Sequence, residues 1–189
     1  MIHNGETLTE PDIILPENQA CFRLPGTDGK AKMSKSLGNC IYLSDEPDVI
    51  KSKIMSMYTD PTHIRKEDLG HTKGNPVFTY LEVFCNPEHF KEFMPDYKNL
   101  DELKAHYERG GLGDVTVKKF LNNVMQKELE IIRERRKMWE QRLPDVYDIL
   151  YQGSMKAKTV AANTLEEVKH SMKIDYFENK NLLSKENER

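Results

Sequence analysis

Residues 76–172 are patterned for helices, and this pattern points to a mostly α-helical fold. Apolar side chains there recur three and four residues apart, as on one face of a helix, and proline or glycine ends each run. The predicted helices cover residues 77–84, 88–94, 100–107, 114–143, 147–151 and 154–172. Gly153 is expected to cap the fifth of these helices. The last helix is expected to bury one face, formed by Ala157, Val160, Ala161, Thr164, Val168 and Met172.

The first 60 residues combine an extended segment with one helix. Residues 20–24 form a short apolar run that ends in a proline and a glycine, which predicts a strand. A helix is expected between residues 44 and 60, with apolar side chains on one side: Ile50, Ile54, Met57 and Tyr58. We therefore divide the chain into residues 1–60, a polar linker at 61–75, a helical part at 76–178 and a charged, frayed tail at 179–189.

Composition and charge indicate a soluble protein. Hydrophobic residues make up 38% of the chain and charged residues 31%, and no apolar run reaches the roughly 18 residues that a membrane span needs. The net charge of −3 gives no overall attraction to nucleic acid. Cys21, Cys40 and Cys85 are widely spaced, which argues against a disulfide framework or a four-cysteine metal site. We expect reduced cysteines, a cytoplasmic location, no membrane partner and no metal site in this chain.

One string in a turn-rich stretch carries the strongest chemical signal. Lys32-Met33-Ser34-Lys35-Ser36 follows residues 24–31, which contain a proline and two glycines. Two ammonium groups and two hydroxyls suit a mobile clamp on phosphate oxygens, because lysine supplies a compact charge and serine a short-range donor. The alternative is a solvated basic turn. A five-residue string of this kind is rare by chance, and its rarity favours the clamp.

The same string is the second signature of the class I aminoacyl-tRNA synthetases, which this chain resembles. Further strings similar to the bacterial tryptophanyl-tRNA synthetases are residues 36–39, 57–61, 74–81 and 161–169. The resemblance runs from about residue 8 to residue 177, with the tyrosyl enzymes as near neighbours. It implies a helical bundle of the anticodon-binding type, appended to the C-terminal remnant of a Rossmann-like catalytic domain in residues 1–60.

The resemblance also implies an activity and its participants. The reaction would be the ATP-dependent activation of tryptophan and its transfer to tRNA(Trp), with tyrosine as the alternative amino acid. Lys32 and Lys35 would be the catalytic side chains, and Met33 would anchor the loop in an apolar notch. The ATP-binding residues would be Lys32, Met33, Ser34, Lys35 and Ser36. The family implies Mg²⁺ together with ATP, and a homodimer as the full-length enzyme.

The family's first nucleotide-binding motif, of the H-I-G-H type, is not found in this sequence. No two of the six histidines lie close enough to form it, and no G-x-G-x-x-G pattern replaces it. We interpret the chain as the C-terminal half of such an enzyme, either an expressed fragment or a truncated gene product, without activity on its own. L-Tryptophan would then bind through the missing half. The alternative of a different class is a stand-alone, non-catalytic tRNA-binding module.

Residues 127–142, called here the basic segment, are the candidate RNA-binding face. Eight basic and five acidic residues lie between Asp114 and Leu143, a local positive excess on a net acidic chain. Proteins bind RNA loops by stacking bases on aromatic or guanidinium planes and by contacting phosphates. The candidate tRNA-binding residues are Arg133, Arg135, Arg136, Lys137 and Trp139. A solvated helix face, with ion pairs to neighbouring glutamates, explains the same charges.

Two polar side chains near these segments have expected structural roles. Asn39 follows the signature string, and we expect it to hold the exit of the loop. His63 has no partner at a useful spacing in the sequence. We therefore expect it to order the linker and not to act in catalysis.

Overall fold

The computed structural model describes residues 8–18, 21–30 and 32–176. The described residues form six helices: α1 (Pro47–Met55), α2 (Pro76–Phe84), α3 (Pro87–Phe93), α4 (Leu100–Arg109), α5 (Asp114–Glu140) and α6 (Leu143–Met172). The described part of the chain contains no β-strand; an isolated antiparallel bridge joins Pro25 and Lys32. The predicted mostly α-helical fold class is confirmed.

The chain divides into two compact units. Residues 15–138 form one unit, which holds α1 to α4 and nearly all of α5. Of the described residues, 8–14 and 139–176 belong to the other, which holds α6. The predicted division after residues 60, 75 and 178 stays a prediction. The predicted charged tail at 179–189 lies outside the described residues.

Asparagine and proline determine where the helices of the larger unit begin. The side chains of Asn75, Asn86 and Asn99 accept backbone N–H groups in the first turns of α2, α3 and α4, and these bonds satisfy donors that a helix leaves free. Proline occupies the start of α1, α2 and α3, where its missing N–H costs nothing. The starts of α2, α3 and α4 therefore lie close to the predicted ones.

Apolar side chains from α1 to α5 form the core of residues 15–138. The main members are Ile50, Ile54, Met57, Val77, Phe78, Tyr80, Leu81, Phe90, Leu103, Tyr107, Val117, Phe120, Leu121 and Val124. Each large apolar side chain contributes about 1.5–3 kcal/mol when it is fully buried. The spacing of apolar residues thus predicted the core-facing side of α2, α4 and the first half of α5 correctly. On the expected side of the first helix Ile50, Ile54 and Met57 are buried, but Tyr58 is 38% exposed.

The predictions for α6 were wrong in two respects. The break predicted at Pro144 is present, since α5 ends at Glu140 and α6 begins at Leu143 with Pro144 in its first turn, where proline is tolerated; from there, however, α6 continues without interruption to Met172. Gly153 therefore lies inside the helix and is not a cap. In addition, no residue of α6 is buried. The spacing of Ala157, Val160, Ala161, Thr164, Val168 and Met172 identifies an apolar face, but spacing does not determine whether a face is covered.

The predicted strand at residues 20–24 was wrong for the residues described there. Cys21, Phe22 and Arg23 are exposed and belong to no ladder of paired strands. A short apolar run forms a strand only where a partner strand offers hydrogen bonds. Among the described residues of this region, strand-like pairing is limited to the isolated bridge between Pro25 and Lys32.

Candidate functional site

The signature turn (residues 25–40) is closed by hydrogen bonds between its own ends. The bridge between Pro25 and Lys32 joins its two arms. The Thr27 N–H donates to the Asn39 carbonyl oxygen at 3.0 Å. Gly29, between the arms, has a φ of 66°, a conformation that glycine adopts without strain. The described residues of the predicted loop thus form a turn that its own hydrogen bonds hold together.

Asn39 is the buried polar centre of the signature turn. Its residue is 4% exposed. Its Oδ1 accepts the Ser34 N–H at 2.8 Å, and its Nδ2 donates to the Lys32 carbonyl and to Asp28 Oδ1 at 3.3 and 3.2 Å. A Cβ added to Gly26 would lie 2.1 Å from Asn39 Nδ2, so the packing requires glycine at that position. The expected role of Asn39 at the loop exit is confirmed.

The reactive side chains of the turn are exposed while its apolar residue is held by the core. Lys32 and Lys35 are exposed. Ser34 Oγ and Ser36 Oγ lie 2.9 Å apart. Met33 is half-buried and packs against the core, as expected for an anchor. The turn therefore presents two ammonium groups and two hydroxyls to solvent from one internally bonded loop, a set that can bind phosphate oxygens.

Comparison with known proteins identifies the family. Residues 3–130 match the family of class I tRNA synthetases (W and Y). The chain belongs to this family. The match contains the whole signature turn and α1 to α4, so the resemblance noted on the signature string extends over most of the larger unit.

Individual relatives are tryptophan enzymes. A tryptophan–tRNA ligase of Clostridium longisporum is 57% identical over 178 residues, which are 94% of this chain and 49% of that protein. One of Lactococcus lactis is 53% identical over 175 residues, 93% of this chain and 49% of that protein. The crystal structure of a Campylobacter jejuni tryptophanyl-tRNA synthetase, complexed with ADP and tryptophan, has a TM-score of 0.62 at 27% identity and covers 79% of this chain and 43% of its own. The chain thus spans about half the length of the curated relatives it matches.

Two helices of this class I synthetase chain hold the backbone of the signature turn. The hydroxyl of Tyr80, on α2, donates to the Pro25 carbonyl at 3.0 Å, and burial raises the pKa of this phenol well above its ordinary value. The Tyr58 N–H, three residues after α1, donates to the Thr27 carbonyl at 2.9 Å. The spacing of apolar residues predicts only that both tyrosines lie on the apolar side of a helix. It cannot predict which distant group the Tyr80 hydroxyl or the Tyr58 N–H will bind.

His63 is part of a buried polar cluster. His63 is 5% exposed, its Nδ1 lies 3.3 Å from Asp114 Oδ2, and its ring centroid is 4.5 Å from that of Tyr107. The Tyr107 hydroxyl donates to Asp114 Oδ1 at 2.6 Å; burial, followed by this hydrogen bond, raises the Tyr107 pKa. The cluster connects three parts of the chain: the segment that follows α1, helix α4 and the start of helix α5. This contact agrees with the expected ordering role of His63.

The predicted tRNA-binding side chains of this synthetase chain lie on α5 in different environments. Arg133 is half-buried and its Nη2 donates to a main-chain carbonyl of α5 at 3.2 Å. Lys127 forms an ion pair with Glu92 of α3. Trp139 is half-buried, and the guanidinium of Arg142 lies 5.0 Å from its ring centroid. The exposed members of the predicted set are Arg135, Arg136 and Lys137.

The described residues offer neither a cluster of metal-binding side chains nor a membrane-spanning helix. No three histidine, cysteine, aspartate or glutamate side chains of residues 8–18, 21–30 and 32–176 lie together so that they could hold a metal ion. Within the same residues, no helix is both long and apolar enough to cross a membrane. Cys21, Cys40 and Cys85 form no disulfide.

Proposed function

We propose that this chain forms the part of a tryptophan–tRNA ligase that closes on ATP and receives tRNA. The family membership and the names of relatives at 50–57% identity support this proposal. Those relatives match through about half of their length, their C-terminal half. The complete reaction is therefore assigned to this chain acting together with an upstream half of the family's type.

The observation that carries the proposal is the geometry of the signature turn. In amino-acid activation the tryptophan carboxylate attacks the α-phosphorus of ATP, and pyrophosphate leaves with increased negative charge. Lys32 and Lys35, exposed on a turn that Asn39 anchors from inside, would stabilise this charge. Ser34 and Ser36 would donate hydrogen bonds to phosphate oxygens. Met33 would keep the turn attached to the core while the lysines contact the nucleotide.

The remaining participants follow from the family. Tryptophan would bind through the upstream half, and tRNA(Trp) would contact the basic segment. Mg²⁺ would arrive with ATP, whose phosphates bind this ion. The described residues offer no set of three metal-binding side chains, so we assign no step to Mg²⁺. A homodimeric enzyme in the cytoplasm completes the proposal.

The test uses a chimera that joins the N-terminal half of the Clostridium longisporum relative to this chain. Lys35→Ala should lower the rate of ATP–pyrophosphate exchange by about a hundredfold to a thousandfold, the usual effect of losing one preorganised donor. The KM for tryptophan should stay unchanged, because Lys35 would contact only the phosphates. The matched control is Lys51→Ala, an exposed lysine of α1, which should exchange at the parental rate.

Equal exchange by Lys35→Ala and the parent chimera would contradict the role of the signature turn. The 189-residue chain should show no exchange when assayed alone. Robust exchange by this chain alone would contradict the need for an upstream half. A gel shift with tRNA(Trp), without exchange in the chimera, would favour a non-catalytic tRNA-binding module.

A further inference from the structure

Lys118 is a buried lysine whose ammonium group is bound to main-chain oxygens. It lies on α5 and is 8% exposed. Its Nζ donates to the Met55 carbonyl at 3.0 Å and to the Met57 carbonyl at 2.6 Å. Burial lowers the Lys118 pKa, and the charge of Asp114 opposes this shift. A lysine is rarely buried without a specific partner, and here the partner is the C-terminal end of α1.

The Met57 carbonyl and the Tyr58 N–H belong to one peptide group. The oxygen of this group accepts the hydrogen bond from Lys118, and its N–H donates to the Thr27 carbonyl at 2.9 Å. A hydrogen bond from a charged donor to a carbonyl polarises the peptide, which strengthens its N–H as a donor. The charge of Lys118 thus reinforces a bond to the signature turn that Lys118 itself does not touch.

The same peptide connects to the centre of the turn. Thr27, which accepts from Tyr58, donates its own N–H to the Asn39 carbonyl at 3.0 Å. Asn39 in turn accepts the N–H of Ser34 at 2.8 Å. A continuous series of bonds therefore runs from α5, through the end of α1, to the residue between the two lysines of the signature string.

Packing adds a steric contact to this series. A Cβ built on Gly29 would lie 2.8 Å from Cδ1 of the Tyr58 ring, so the turn lies directly against that ring. The Tyr58 ring consequently limits how closely the turn can approach the end of α1, and the Tyr58 N–H supplies one of the hydrogen bonds of the turn. The position of Tyr58 depends on the peptide that Lys118 holds.

We propose that Lys118 is a positioning residue for the signature turn, acting through the Met57–Tyr58 peptide. The consequence for catalysis rests on the proposed function; the consequence for the turn does not. Lys118 contacts neither nucleotide nor tRNA in this assignment. A purely structural role, as a cap on the C-terminus of α1, would stabilise the whole unit without a selective effect on the turn.

The first experiment measures amide hydrogen exchange in the 189-residue chain and needs no enzymatic activity. Lys118→Met should accelerate exchange of the Thr27, Ser34 and Tyr58 amides by about tenfold or more, as for loss of a charge-assisted hydrogen bond. The amides of α4 should exchange at the parental rate. The matched control is Lys119→Met, an exposed neighbour on α5, which should leave all of these amides unchanged. Lys118→Arg should restore most of the protection.

Two outcomes of this experiment would overturn the proposal. An equal loss of protection in α4 and in the turn would mean that Lys118 only stabilises the unit. Unchanged protection of the Thr27, Ser34 and Tyr58 amides would mean that the hydrogen bond from Lys118 to the Met57–Tyr58 peptide does not affect the signature turn. If Lys118→Met does not fold, Lys118→Gln, which keeps a neutral donor, takes its place with the same criteria.

The second experiment measures pyrophosphate exchange in the chimera. Lys118→Met should lower kcat by about tenfold and leave the KM for tryptophan unchanged, and Lys118→Arg should recover activity. If Lys35→Ala lowers exchange and Lys118→Met does not, positioning by Lys118 is wrong while the proposed function stands. If neither variant lowers exchange, the proposed function fails, and the hydrogen-exchange result alone decides whether Lys118 holds the turn.

Discussion

The signature turn and the basic segment carry charges of the same sign on different kinds of support. In the signature turn, the buried side-chain amide of Asn39 binds the backbone at Lys32 and at Ser34, next to the two exposed lysines. In the basic segment, Arg135, Arg136 and Lys137 are exposed on a regular helix, and Lys127 forms an exposed ion pair with Glu92. A lysine that must contact one particular phosphate oxygen needs a backbone held in one position. Charges spread along a helix instead attract a polyanion such as RNA through their summed electrostatic potential.

The energetic consequences of the two supports differ. Breaking a buried hydrogen-bond partner costs about 1–3 kcal/mol for each group left unsatisfied, but an exposed ion pair contributes about 0–1 kcal/mol. Changes near the signature turn should therefore alter stability and chemistry together. Changes in the basic segment should alter salt-dependent binding and leave stability nearly unchanged. The following predictions test this difference, in order of decreasing effect.

The largest effect is expected for Asn39→Ala. The change leaves the Ser34 N–H and the Lys32 carbonyl without their buried partner, so the free energy of unfolding should fall by about 2–3 kcal/mol. Urea denaturation measures this value. Asn123→Ala, an exposed asparagine of α5, is the matched control and should change it by less than about 0.5 kcal/mol. If both variants lowered the free energy of unfolding equally, the buried hydrogen bonds of Asn39 would contribute no more to stability than an exposed asparagine does.

A smaller effect is expected at Asp60, which follows the end of α1. Burial raises its pKa, but hydrogen bonds from Thr62 and His71 outweigh burial and hold the pKa well below the ordinary value. The folded state therefore binds fewer protons than the unfolded state near the ordinary aspartate pKa of about 3.9. This contribution to stability is complete above that pH and is lost as the pH falls further.

Asp60→Asn tests this contribution. The variant should lose about 1.5 kcal/mol of stability at pH 7 and show a shallower decline of stability between pH 5 and pH 3. Urea denaturation across this range is the measurement. Asp101→Asn, at an exposed site of α4, provides the comparison. A decline as steep as in the parent would show that other carboxylates cause the acid sensitivity.

The basic segment should respond in binding and not in stability. The double variant Arg135→Gln/Lys137→Gln removes two exposed charges from α5, and the slope of log K against log salt for tRNA(Trp) should become shallower by about one to two units. Filter binding at several salt concentrations gives this slope. Lys51→Gln/Lys66→Gln removes two exposed charges elsewhere and should leave the slope as it is. An unchanged slope in the first variant would place the RNA-binding face on another surface.

The smallest effect is expected at Trp139, the single tryptophan of the chain. The Arg142 guanidinium lies over its ring, so stacking with a base would use the opposite face. Binding of tRNA(Trp) should change the fluorescence of Trp139, and Trp139→Phe, which keeps an aromatic face, should weaken binding by less than about threefold. No change in fluorescence at saturating tRNA would place Trp139 outside the RNA-binding face.

Much of the larger unit could be predicted from local sequence. Helix starts follow from Asn75, Asn86 and Asn99, because an asparagine cap acts within one turn of the chain. Apolar spacing also gave the buried side of α2 and α4 correctly. The predicted strand at residues 20–24 failed for the residues described there, because a strand needs a partner strand that local sequence does not specify. Gly153 looked like the end of a helix, yet α6 passes through it, whereas the break predicted at Pro144 does lie between α5 and α6.

The sequence by itself determined two things: the family, through the string from Lys32 to Ser36, and the helical pattern of residues 76–172. Both can be read locally, because a motif and a helical periodicity depend only on residues that are close together in the chain. Only the tertiary structure decided that Lys118 binds the end of α1, that Tyr80 binds Pro25 and that His63 meets Asp114. These contacts join residues 51 to 63 positions apart. No local pattern specifies them, since a side chain acquires a distant hydrogen-bond partner only when packing brings the two groups together and excludes water.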